Sequence, residues 1–149
     1  MVGFTIAVIG VLCVLSIYLP NSWLEFEKFS ASIAEIRLSV HQTRLAFPDV
    51  RHVIFGGDLQ EQLPASFAGV TGECCCLPST ELVSERAALL VTLAKDLKCS
   101  FASTYANVSD TWWTRKHVGD VEGVTKRQLD YIAGPSTADS KNKSFNHNK

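Results

Sequence analysis

The chain has 149 residues, about one domain and enough to bury a core. Fourteen Lys and Arg against fifteen Asp and Glu leave a formal net charge of -1, which argues against affinity drawn from a broad basic surface but not against a grip on one or two phosphates. The five cysteines are an odd number with Cys74, Cys75 and Cys76 adjacent, so they do not form a disulfide framework, and they fit a reducing, intracellular setting. No histidine has ligand spacing to the adjacent thiols, and three consecutive residues converge poorly on one tetrahedral zinc.

Residues 2–19 carry no charge, which raises a membrane-spanning or anchoring helix. A leading Lys or Arg is missing, and the first charges afterwards are Glu25 and Glu27, so a secretory signal is not expected and the orientation cues of a membrane helix are missing. The run is rich in Val and Ile, contains Gly3 and Gly10, and closes at Tyr18-Leu19-Pro20-Asn21. Core strands running into a proline-led loop are the favoured reading. Ser22 and Glu25 form a capping box for the clearest helix. Along that helix Phe26, Phe29, Ile33, Ile36 and Val40 recur at three and four residues. It ends before Phe47-Pro48-Asp49.

Val53-Ile54-Phe55 then reads as a short buried strand that stops at Gly56-Gly57, followed at once by Asp58 and Gln60. Strand, helix and strand form one unit, so the strand ending at Tyr18 and the strand ending at Asp58 are predicted to be parallel neighbours. Their C-terminal ends then share a rim, which makes Tyr18, Asn21, Asp58 and Gln60 candidates for a common site. Residues 61–80 lack periodicity and form a long loop. A second helix is predicted over 81–97, with Leu82, Leu89, Leu90, Leu93 and Leu97 on its apolar face and Glu85-Arg86 on its first turns. Strands follow at 99–105, 111–114 and 128–132, the last two separated by a charged, Gly-containing loop. Trp112 and Trp113 read as packing residues, and His41, His52 and His117 as surface or turn histidines. Residues 136–149 are polar, without an apolar period, and are expected to be a disordered tail.

Tyr18-Leu19-Pro20-Asn21, the Gly56-Gly57-Asp58-Leu59-Gln60 turn, the helix opening at Glu85-Arg86, Thr111-Trp112 and Gln128-Leu129-Asp130-Tyr131-Ile132 come in a telling order. Together, over residues 12–135, they resemble the endonuclease/exonuclease/phosphatase superfamily, the DNase I-like fold, and in style its non-LTR retroelement endonuclease domains. The resemblance implies an α/β (α+β) chain that is part of a four-layer αββα sandwich of mixed sheets flanked by helices. It implies cleavage of phosphodiester or phosphomonoester bonds with Mg²⁺, and nucleic acid as a partner. By the same resemblance Asp58 orients or activates the attacking water, and Tyr18 hydrogen-bonds the phosphate with Asn21 close to the same group. Gln60 takes the place of an amide that holds phosphate or water, and Asp130 orients a catalytic histidine.

The chain also departs from that pattern. Gln60 stands where Asn is usual, and its extra methylene moves the amide by about 1 Å, a misplacement that can cost ~100-fold. The metal-binding Glu expected upstream of the Tyr18 strand is missing, and no Ser-Asp-His strand follows Ile132; His147 lies in the polar tail. An incomplete domain, weakly active or inactive and with doubtful Mg²⁺ binding, is therefore expected. A non-catalytic binding or scaffold module, and a small protein anchored by residues 2–19, are the competing readings.

Overall fold

The computed structural model of the protein describes residues 3–19, 26–65, 67, 69–73, 83–105, 115–117, 125–127 and 130–136. Over the described residues it is mixed α/β, with one five-stranded sheet and two α-helices. The strands are β1 (Gly3–Ile9), β2 (Leu12–Tyr18), β3 (His52–Asp58), β4 (Cys99–Phe101), β5 (Arg115–His117), β6 (Thr125–Arg127) and β7 (Asp130–Pro135). The helices are α1 (Phe26–Ala46) and α2 (Glu85–Asp96). The five-stranded sheet has the order β1-β2-β3-β7-β4, and β5 and β6 pair with each other.

The uncharged N-terminal run is a β-hairpin, as its β-branched content predicts. β1 pairs antiparallel with β2 around a turn at Gly10 and Val11. The Val11 carbonyl accepts from the N–H groups of Arg51 and His52, which ties the hairpin turn to the entry of β3. Among the described residues no helix is long and apolar enough to cross a membrane. β2 and β3 are parallel neighbours joined through α1, also as predicted, and β7 runs antiparallel beside β3.

One sheet face is buried under the helices. Cys13, Leu15 and Ile17 of β2, Val53 and Phe55 of β3, Phe101 of β4, and Tyr131 and Ala133 of β7 meet Phe29, Ile33, Ile36 and Val40 of α1 and Leu90 and Leu93 of α2 in one core. Phe101 packs edge-on against both Phe55 and Tyr131, with ring centroids 5.6 Å apart in each pair. The Arg86 guanidinium lies 4.9 Å from the centroid of the Phe29 ring, joining the start of α2 to α1.

Several predicted details change. Phe26 is exposed, and the buried face of α1 instead includes Ser32, whose hydroxyl donates to the Lys28 carbonyl at 2.7 Å and so is satisfied within the helix. The Ser22–Glu25 capping box lies outside the described residues. α2 starts at Glu85 rather than 81 because Ser84 caps it, its hydroxyl oxygen accepting from Ala87 N–H at 3.0 Å. The strand predicted over 99–105 stops at Phe101 and gives way to a 3₁₀ turn at Ala102–Thr104. Thr104 enforces that turn: its buried hydroxyl donates to the Phe101 carbonyl and accepts from Gly72 N–H. The last strand is β7, running from Asp130 on to Pro135 rather than over 128–132. β5 and β6 form a hairpin inside the stretch predicted as a charged loop. Residues 111–114, with Trp112 and Trp113, lie outside the described residues, as do Cys74 to Cys76 and 137–149.

Candidate functional site

β2 and β3 run side by side for seven residues and end together, Tyr18 opposite Asp58. β7 begins at the same level, with Asp130 opposite Asp58 on its other side. Directly opposed residues project from the same sheet face. Tyr18, Asp58 and Asp130 therefore form one row across three adjacent strands, with Asp58 in the middle. With strands about 4.8 Å apart, the row spans roughly 10 Å. It lies on the face that the helices leave open, and Tyr18 is 55% exposed. The carboxyl ends of parallel strands are where open α/β sheets bind ligands.

The turn after β3 explains the sequence Gly-Asp-Leu-Gln. Gly57 has φ +135, and a Cβ built there falls 2.0 Å from the Ile17 carbonyl oxygen. Only glycine lets β3 lie this close to β2 just before the row. Leu59 is fully buried and anchors the turn from below, while its neighbour Leu19 donates its N–H to the Asp58 carbonyl at 2.9 Å, extending the ladder one step past Tyr18. Gln60 adopts φ +53, a left-handed conformation uncommon for its type. That conformation brings Gln60 back over Asp58: its backbone N–H donates to Oδ1 at 3.1 Å, and its side-chain amide donates to Oδ2 at 2.5 Å.

The turn is held from the far side as well. The Tyr131 hydroxyl accepts from Leu63 N–H at 3.1 Å, and Leu63 is fully buried. Thr71 donates to the Pro64 carbonyl at 2.7 Å and accepts from Phe67 N–H at 2.8 Å. The first part of the long loop is thus folded against β4 and β7 rather than hanging free, which fixes the direction in which Gln60 leaves the sheet.

Of the residues singled out from sequence, the structure brings Tyr18, Asp58, Gln60 and Asp130 to one rim. Asn21 lies outside the described residues, as does His147. Among the described residues no three His, Cys, Asp or Glu side chains are grouped as a metal site. Arg44, Arg51, His52 and Lys98 were not foreseen as a group. They share a cavity at the opposite rim, and separate chain segments supply them, so no spacing marks them.

No protein-family model matches the chain, and no curated protein is significantly similar to it.

Proposed function

We propose that the chain carries a weak, Mg²⁺-dependent phosphodiesterase centre of the endonuclease/exonuclease/phosphatase type, acting on nucleic acid. The observation that supports this reading is the row Tyr18–Asp58–Asp130 at the carboxyl ends of β2 and β3, with Gln60 folded over Asp58. Hydrolysis of a phosphodiester needs a base for water, donors for the phosphate oxygens, and charge neutralisation. Asp58 is the base. The Tyr18 hydroxyl and the Gln60 amide are the donors on either side of it, and Asn21 joins them by resemblance.

Mg²⁺ often takes only one or two protein carboxylates and completes its shell with water and substrate phosphate. Asp130, opposed to Asp58 on the neighbouring strand, would supply such a carboxylate. When bound, the ion neutralises charge on the phosphate. Weakness follows from the same geometry. A carboxylate engaged by both the backbone N–H and the side-chain amide of Gln60 has fewer lone pairs left to receive water. Its amide, turned to Asp58, is also shared away from phosphate.

The four-layer sandwich belongs to the same proposal. Thr5, Ala7, Val14, Ile54 and Ile132 lie on the open face of the five-stranded sheet, where a second sheet would pack. A non-catalytic binding module is favoured by one observation, the engagement of Asp58 by Gln60. Turnover of bis(p-nitrophenyl) phosphate separates the two readings. The phosphodiesterase releases p-nitrophenol in Mg²⁺ and stops in excess EDTA and in Asp58→Ala. A binding module releases none under any of these conditions.

A further inference from the structure

At the rim opposite Asp58, a cavity of about 230 Å³ is lined by Arg44, Arg51, His52, Lys98 and Ser136. It is smaller than the roughly 300–1,000 Å³ pockets that take drug-sized ligands, so it suits one small group. No carboxylate lines it, and among the described residues none of the three cations is in an ion pair. Arg44 lies in the last turn of α1, and Lys98 follows the C-cap of α2. Each helix end contributes about half a negative charge, so three cations against two such ends leave about +2. A phosphate group at neutral pH carries about that charge with the opposite sign.

Lys98 supplies an independent observation. It sits at the residue after the α2 C-cap with φ +58, where helices commonly place glycine. Keeping a lysine in a left-handed conformation makes sense where its ammonium is needed. We propose that this cavity binds a phosphate group, as inorganic phosphate or as the phosphomonoester of a small molecule, at a site distinct from the Asp58 row. β3 separates the two, since His52 opens the strand and Asp58 closes it, about 20 Å away. The guanidinium groups of Arg44 and Arg51 offer paired donors to phosphate oxygens, and Lys98 adds a point charge.

The test is isothermal titration of the full chain with sodium phosphate, and separately with adenosine monophosphate, at an ionic strength fixed with sodium chloride. Melting curves in the same buffers follow, because a ligand of the folded state raises Tm with its concentration. Binding of either compound, weakened about tenfold or more in Arg51→Gln and in Lys98→Gly and unchanged in Asp58→Asn, is the expected result. Tighter binding of the nucleotide identifies the phosphomonoester as the source, and binding of phosphate alone identifies the free anion. Lys98→Gly also relieves the left-handed backbone, so it folds at least as stably as the parent and its loss of binding cannot be a loss of fold. The proposal is overturned if chloride protects as well as phosphate, if Lys98→Gly binds as the parent does, or if Asp58→Asn abolishes binding. Retention of a duplex oligonucleotide without binding of either small phosphate overturns it too.

Discussion

Substituting Gly57 by alanine strikes the point where β3 closes on β2. The added Cβ meets the Ile17 carbonyl oxygen at 2.0 Å, and real Cβ atoms essentially never come within 3.0 Å, so the strands must part by about 1 Å. Two costs add. A non-glycine residue at φ +135 is strained by roughly 1–3 kcal/mol, and one or two displaced ladder hydrogen bonds cost about 1 kcal/mol each. The sum is about 3 kcal/mol, or a fall in Tm of roughly 10 °C for a chain of this size. Gly10→Ala is the matched control: φ is +59 there, but nothing lies within 4 Å of the new Cβ. Only the left-handed conformation is penalised, at roughly 1–2 kcal/mol. Circular dichroism melts of both variants beside the parent give the comparison. A Gly57→Ala protein that melts no lower than Gly10→Ala refutes the close approach of β3 to β2, and with it the placing of Tyr18 beside Asp58.

Three further outcomes follow from the packing and the turn. Tyr131→Phe leaves the buried Leu63 N–H without its acceptor and costs about 1–3 kcal/mol, read as a shift in urea midpoint with an unchanged slope. Gln60→Asn is expected to raise Mg²⁺-dependent hydrolysis, because asparagine tolerates φ +53 better and its shorter amide reaches Asp58 Oδ2 less easily; single-turnover rates of the two proteins decide it. Burial holds the Cys99 thiol up at about 11 against an ordinary 9.0, with the Arg44 charge opposing in part. The folded state therefore keeps that proton longer than the unfolded state does. Its contribution is fully present below pH 9.0 and is lost as pH rises through about 11. Cys99→Ala should flatten the alkaline fall in stability, and identical urea midpoints against pH in both proteins would contradict the burial.

The row at the rim was legible because it rests on strong local signals. Tyr18-Leu19-Pro20 marks a strand end, the glycine pair marks another, and a helix with an apolar stripe between them makes the two strands parallel neighbours. Asp130 was different. Nothing in its spacing to Asp58 places it on the next strand, and only the pairing of β7 with β3 brings the two together. What stayed hidden has physical reasons. Arg115-Lys116-His117 and Thr125-Lys126-Arg127 carry no apolar alternation, so β5 and β6 look like charged loop. The short β4 depends on Thr104 bonding across to Gly72, a tertiary contact that the strand-like run 99–105 does not announce. The length of Gln60 does not place its amide; its left-handed backbone conformation decides where it points. The basic cavity is assembled from the end of α1, the start of β3, the end of α2 and the end of β7, and only the fold gathers it.

The phosphodiesterase reading stands or falls on Asp58, and nicking of supercoiled plasmid DNA tests it most directly. Parent and Asp58→Ala proteins, purified identically, are incubated with the plasmid in Mg²⁺ and in EDTA. Slow conversion to the nicked circle by the parent in Mg²⁺ alone, reduced by about 100-fold or more in Asp58→Ala, is the predicted result. Nicking that survives the substitution, or a parent no faster than protein-free buffer, contradicts it.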